Sequence, residues 1–127
     1  MSNRAVIVTQ AAPQAIGPYS QGIKVGNTVW ISGQIPLDPH SMAMVEGDIS
    51  SEAEQVFSNL SAVAEAAGGT LDNAVKINIS LTDLGDFDAV NAVMSQHFEK
   101  PYPARACVQV AALPKGARIE VEAILSL

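Results

Sequence analysis

Only one cysteine, Cys107, stands in the 127 residues. A lone thiol closes no internal disulfide, which excludes a disulfide scaffold and fits a reducing compartment such as the cytoplasm. Basic residues are also scarce: seven Lys and Arg against thirteen Asp and Glu leave a formal charge of -6. Phosphate-neutralising surfaces need clustered cations, so nucleic acid is not an expected partner. No stretch approaches the ~20 apolar residues that span a bilayer, and no membrane association is expected. The run Ala5-Val6-Ile7-Val8 behind Arg4 is too short for a signal-peptide core. Repeats, low-complexity tracts and linkers are missing as well, so residues 1–127 are read as one domain.

What the chain does have is periodicity. Four segments alternate with period two, the mark of strands with two unlike faces. In Thr28 to Ile35, Val29, Ile31 and Ile35 oppose Trp30, Ser32 and Gln34. In Val75 to Thr82, Val75, Ile77, Ile79 and Leu81 oppose Lys76, Asn78, Ser80 and Thr82. Ala106, Val108 and Val110 oppose Arg105, Cys107 and Gln109, and Ile119, Val121, Ala123 and Leu125 oppose Glu120, Glu122 and Ile124. Weaker candidates near Arg4 to Thr9 and Gly22 to Val25 add an N-terminal hairpin.

Two segments carry helical stripes. Ala53, Val56, Phe57, Leu60, Val63, Ala64 and Ala67 form the first, with Ser51 and Glu54 fitting a capping box and Gly68-Gly69 closing its end. Phe87, Val90, Val93, Met94 and His97/Phe98 form the second, with Asp83 or Asp86 as N-cap and Pro101 beyond its end. Two helices cannot cover both faces of such a sheet, so the reading is a two-layer α+β sandwich. The other face gathers Trp30, Ser32, Asn78, Ser80, Arg105, Cys107, Gln109, Glu120 and Ile124. It is too polar for a core and too apolar for a solvated sheet, and burial against further copies of the chain resolves the conflict.

Among chemistry-bearing residues, His40, His97 and Cys107 show no metal-ligand spacing, and no metal site is expected. Cys107 beside Arg105 reads as a wall residue more readily than as a nucleophile, since neither histidine is placed to activate it. The loop Gly17-Pro18-Tyr19-Ser20-Gln21-Gly22 lacks the lysine of a phosphate loop and reads as a shaped loop presenting Tyr19. Arg105 and Glu120 remain. A guanidinium on a partly buried face needs an anion. Either the two residues satisfy each other as an internal ion pair, with Arg118 a further partner for the glutamates, or they form an anion pocket. Spacing leaves both readings open, as it does the hairpin or crossover nature of Ala111 to Ala117.

The pieces Ala15-Ile16-Gly17-Pro18-Tyr19-Ser20-Gln21, Ser32-Gly33-Gln34-Ile35-Pro36, Asp86-Phe87 with Val90-Asn91, Pro101-Tyr102-Pro103-Ala104-Arg105-Ala106-Cys107-Val108 and Ile119-Glu120-Val121-Glu122 occur in register. Together they resemble the reactive intermediate deaminase A family (RidA, also called YjgF) from about residue 15 to residue 124. The resemblance implies a Bacillus-chorismate-mutase-like fold, a mixed β-sheet with two helices on one face, and a homotrimer with ligand clefts between subunits. It implies hydrolysis of reactive enamines and imines, such as 2-iminopropanoate and 2-iminobutanoate released by pyridoxal-phosphate enzymes, to 2-keto acids and ammonia. No metal or organic cofactor is implied.

Residue by residue, Arg105 aligns with the family's carboxylate clamp and Glu120 with the acid that holds the attacking water. Tyr19 and Ser32 align with cleft-lining positions, Gly33 with a backbone contact, Cys107 with a wall residue, and Asn91 with the subunit contact region. Departures from the family are the turn Pro39-His40-Ser41-Met42-Ala43-Met44 in place of Thr-Gly-Glu, Met94 where an aromatic is frequent, and Glu52 where glutamine is common. Rival readings are a non-catalytic module binding small carboxylates, an RNA-cleaving or translation-inhibiting protein, and a holdase.

Overall fold

The computed structural model describes residues 3–127. In chain order it contains β1 (Ala5–Ile7), β2 (Gly22–Val25), β3 (Thr28–Gln34), α1 (Ile49–Ala66), β4 (Ala74–Leu81), α2 (Phe87–His97), β5 (Ala104–Gln109) and β6 (Ile119–Ser126). All six strands join one sheet in the order β1-β2-β3-β6-β4-β5. Neighbours are antiparallel except β4 and β5, which run parallel. A parallel pair needs a crossover, and α2 supplies it. β5 bonds to β4 alone, while β6 inserts between β3 and β4, so the segment between β5 and β6 is no hairpin.

Helix α1 begins because Asp48, in extended backbone, accepts the amide of Ser51 at 2.9 Å. The cap therefore lies three residues before the expected Ser51, which falls inside the first turn. At the other end Gly68 takes φ +94. Its amide donates to the Glu65 carbonyl, and the Gly69 amide donates to Ala64, both at 3.0 Å, the paired bonds of a Schellman stop. Ahead of α2, Asp83 caps a short 3-10 turn by accepting the Gly85 amide at 2.8 Å, whereas Asp86 makes no capping bond.

Both helical stripes meet the same sheet face. Phe57, Leu60 and Val63 of α1 lie fully buried against Val29, Ile77, Val121 and Leu125, and Val90, Met94 and Phe98 extend the layer. Each such side chain contributes about 1.5–3 kcal/mol by leaving water, more than the helix propensities at stake. The stripe thus fixes where each helix sits. The described residues contain no helix long and apolar enough to cross a membrane.

Three expectations change. In β3, Ile31 faces Ala123 but Gln34 faces Val121, a three-residue step against two. The extra residue is a β-bulge, and it reverses the phase: Gln34 turns into the interior, 6% exposed, instead of lying with Trp30. A second shift between Ala74 and Lys76 turns Val75 out to 49% exposure. In β5, Arg105, Cys107 and Gln109 align with Ile77, Ile79 and Leu81, so they lie on the helix side of the sheet, not on the open face. Ala106 and Val108 take the open face instead.

Arg118 also departs from its expected partners. It reaches the buried carboxylate of Glu52 on α1 through its side chain and its own amide, and donates to the Gly47 carbonyl at 2.7 Å. This ties the start of α1 to the start of β6, two residues ahead of Glu120.

Candidate active site

Four of the seven site residues read from the sequence meet in one place. Tyr19, Ser32, Gly33 and Glu120 line a cleft of about 600 Å³ on the open side of the sheet. The loop carrying Tyr19 is shaped by Gln21, buried at 4% exposure. Its carbonyl oxygen accepts the Thr9 amide at 2.7 Å, and its Nε2 donates to the Pro13 carbonyl at 2.8 Å. Gly17 takes φ +120, a turn that favours glycine, and the Tyr19 hydroxyl accepts the Ile16 amide at 3.3 Å. The Ser32 hydroxyl donates to the Ser20 carbonyl at 2.5 Å, which leaves only its lone pairs to a guest.

The β3 bulge brings Gly33 beneath Glu120. A Cβ at position 33 would stand 2.8 Å from the Glu120 carboxyl carbon, so glycine is what lets the carboxylate lie there. Desolvation, and secondarily the charge of Glu122, push the Glu120 carboxyl above the ordinary glutamate range. Glu122 lines the same cleft and accepts from Asn78 Nδ2 at 3.1 Å.

Arg105, Asn91 and Cys107 are elsewhere, on the outer strand and on α2. The Arg105 guanidinium stands 5.0 Å from the Phe87 ring centroid, within cation–π range. Its Nη1 donates to Asn91 Oδ1 and approaches Met94 Sδ at 3.8 Å. These contacts aim the fork into a shallow recess of about 430 Å³ that Tyr102 and Pro103 also line. Met94, the departure from the frequent aromatic, is therefore part of the seat of Arg105. Burial pushes the Cys107 thiol up, and Arg105 opposes this only in part. A thiol in that state stays protonated at neutral pH and is a poor nucleophile.

The internal ion pair does not form. Between β5 and β6 stands β4, and strands lie ~4.8 Å apart, so Arg105 and Glu120 are ~10 Å apart laterally and on opposite faces. One chain holds the two groups in separate places, Arg105 in a cationic recess and Glu120 in an acidic cleft. His97 stacks on Phe57 with centroids 5.5 Å apart and meets Glu54 at 2.7 Å, a packed histidine as the stripe implied. No group of three or more His, Cys, Asp or Glu is placed to hold a metal among the described residues.

Sequence reasoning missed Gln21 as the organiser of the Tyr19 loop, and missed Met42 and Lys115 as cleft residues. The last two adopt φ of 61° and 57°. No residue pattern announces a left-handed methionine or lysine, so neither was legible.

A mixed sheet with both helices on one face, a glutamate cleft on the other and an arginine on its edge strand makes this a two-layer α+β protein with an acidic cleft and a separate cationic recess. The chain belongs to the RidA/YjgF family, whose matching model, described as Endoribonuclease L-PSP, spans residues 9–126. It is 50% identical over 125 residues to the 2-iminobutanoate/2-iminopropanoate deaminase of Dermatophagoides farinae, covering 98% of each chain. The human protein of the same description is 50% identical, across 95% of this chain and 88% of that one. Among solved structures, RidA from an Antarctic Psychrobacter is 55% identical with a TM-score of 0.94, covering 97% of this chain and 99% of that one.

Proposed function

We propose that the protein is a cytoplasmic imine deaminase that hydrolyses small 2-imino acids, and the 2-enamino acids that tautomerise to them, to 2-keto acids and ammonia. We assign the site to two copies of the chain. Arg105, seated by Asn91 with Cys107 behind it, comes from one copy, and Tyr19, Ser32, Gly33 and Glu120 come from the next. The separation of Arg105 from Glu120 within one chain is the observation that carries this arrangement. A head-to-tail ring of three, the trimer of chorismate-mutase-like proteins, brings unlike surfaces together at three equivalent places. The open face supports such a contact, because Trp30 and Val108 stand 45% and 52% exposed on it.

The chemistry follows from the groups. Arg105 grips the substrate carboxylate through two parallel N–H donors and leaves C2 facing the acidic cleft. Glu120, ionised, accepts a proton from water as its oxygen bonds to C2, and the C=N electron pair moves to nitrogen. The proton passes from Glu120 to that nitrogen, the remaining hydroxyl proton follows it by way of the same carboxylate, and the C–N pair departs on ammonia as C=O forms. Neither metal nor organic cofactor enters this scheme. General acid–base assistance of this kind supplies ~10²–10⁴-fold, and positioning adds to it. The name endoribonuclease attached to the family finds little support in a chain of charge -6.

The test is a coupled assay in which a threonine dehydratase generates 2-iminobutanoate in situ. The purified protein should speed the appearance of 2-ketobutyrate and ammonia over the spontaneous rate. Binding of 2-ketobutyrate with no acceleration would make the chain a carboxylate-binding module instead.

A pH profile probes the role of Glu120. A base works ionised, so kcat/KM should fall as pH drops through its raised pKa. Glu122→Gln removes the neighbouring negative charge and lowers that pKa, and the acidic limb should move to lower pH. A limb that stays in place assigns the titration to another group.

A further inference from the structure

Among the described residues, Met42 and Lys115 alone combine a side chain with positive φ, and both line the Glu120 cleft. The left-handed region disfavours any residue with a Cβ, and glycine fits it without cost. The turn around Met42 needs nothing from the methionine side chain. The Met42 amide donates to the Asp38 carbonyl at 2.8 Å, and the Asp38 amide donates to Ala43 at 2.9 Å. Asp38 Oδ1 accepts the amides of His40 and Ser41 at 2.8 and 3.0 Å, and Leu37 bridges to Met44. Glycine would hold the same turn better, so what methionine adds at position 42 is its thioether.

That side chain lines the cleft together with Ile16, Ile35 and Leu37. Along the chain from Gly33 to Leu37 the lining passes from the glutamate to apolar groups. The geometry points to Met42 as a specificity-determining residue: it walls an apolar subsite for the side chain of imines derived from longer aliphatic amino acids. A flexible, polarizable thioether suits side chains of varied shape. This inference rests on the imine-hydrolysing role of the cleft.

An L-amino-acid oxidase generates the imines of alanine and leucine in situ for the test. In Met42→Gly, kcat/KM for the leucine-derived imine should fall about tenfold relative to the alanine-derived one, which should change less than about twofold. The melting temperature should equal or exceed that of the wild type. Met42→Ala should show the same loss of selectivity without the gain in stability, which ties the effect to the side chain and not to the turn. An unchanged ratio, or equal loss on both imines, overturns the inference while wild-type activity stands. A wild type inactive on both imines overturns the deaminase reading along with it.

Discussion

Arg105→Ala should lower kcat/KM for 2-iminobutanoate by about 10²-fold or more, the loss expected when a bidentate, charge-assisted carboxylate clamp disappears. The fold should survive. Arg105 is exposed, and its contacts within the chain are one side-chain bond to Asn91, a long approach to Met94 and a ring contact with Phe87. Contacts of that kind contribute about 1 kcal/mol each at most to an exposed group. Stopped assays on matched, folded preparations therefore read the clamp and not stability. Arg105→Lys separates charge from fork: an ammonium keeps the attraction but loses the two parallel donors, so it should restore part of the rate and no more. An alanine variant as active as the wild type places the carboxylate clamp somewhere else.

How much of this was legible in the sequence depends on how deeply each residue is buried. Ile77, Ile79, Leu81, Val121 and Leu125 alternate because one face of β4 and β6 meets the helices, and period two reports that contrast directly. Phe57 and Leu60 carry the same message at helical spacing. Where the contrast fades, the pattern loses its reference. β5 is an edge strand whose residues are exposed apart from the half-buried Cys107, so alternation separated two sets without saying which faced the helices. Arg105 was put on the wrong face for that reason. A bulge is likewise invisible, because one added residue in β3 leaves every side chain individually reasonable while exchanging the places of Gly33 and Gln34. The candidate residues could be named one by one. Their division into two groups was not legible, since it depends on strand order, and β6 lies beside β4 and β3 for reasons spread over the whole core.

That division makes a prediction of its own. Glu120→Gln keeps the shape of the side chain but cannot accept a proton from water, so kcat should fall about 10²–10⁴-fold with little change in KM. Taken alone, each of Arg105→Ala and Glu120→Gln should disable every site. Mixed and allowed to exchange subunits, they should recover activity. In a head-to-tail ring each cleft takes its arginine from one chain and its glutamate from the next. An equal mixture therefore rebuilds about one quarter of the clefts with both groups intact. The complementary quarter carries both defects, and the remaining half carries one. Activity in the mixture should rise far above either parent and approach about a quarter of the wild-type value, while a chain carrying both substitutions should rescue neither parent beyond a site-for-site dilution. Were each cleft built within one chain, every cleft in the mixture would still hold one defect and exchange would restore nothing. The measurement thus separates a site shared between chains from one held within a chain, using two variants whose individual losses are measured first.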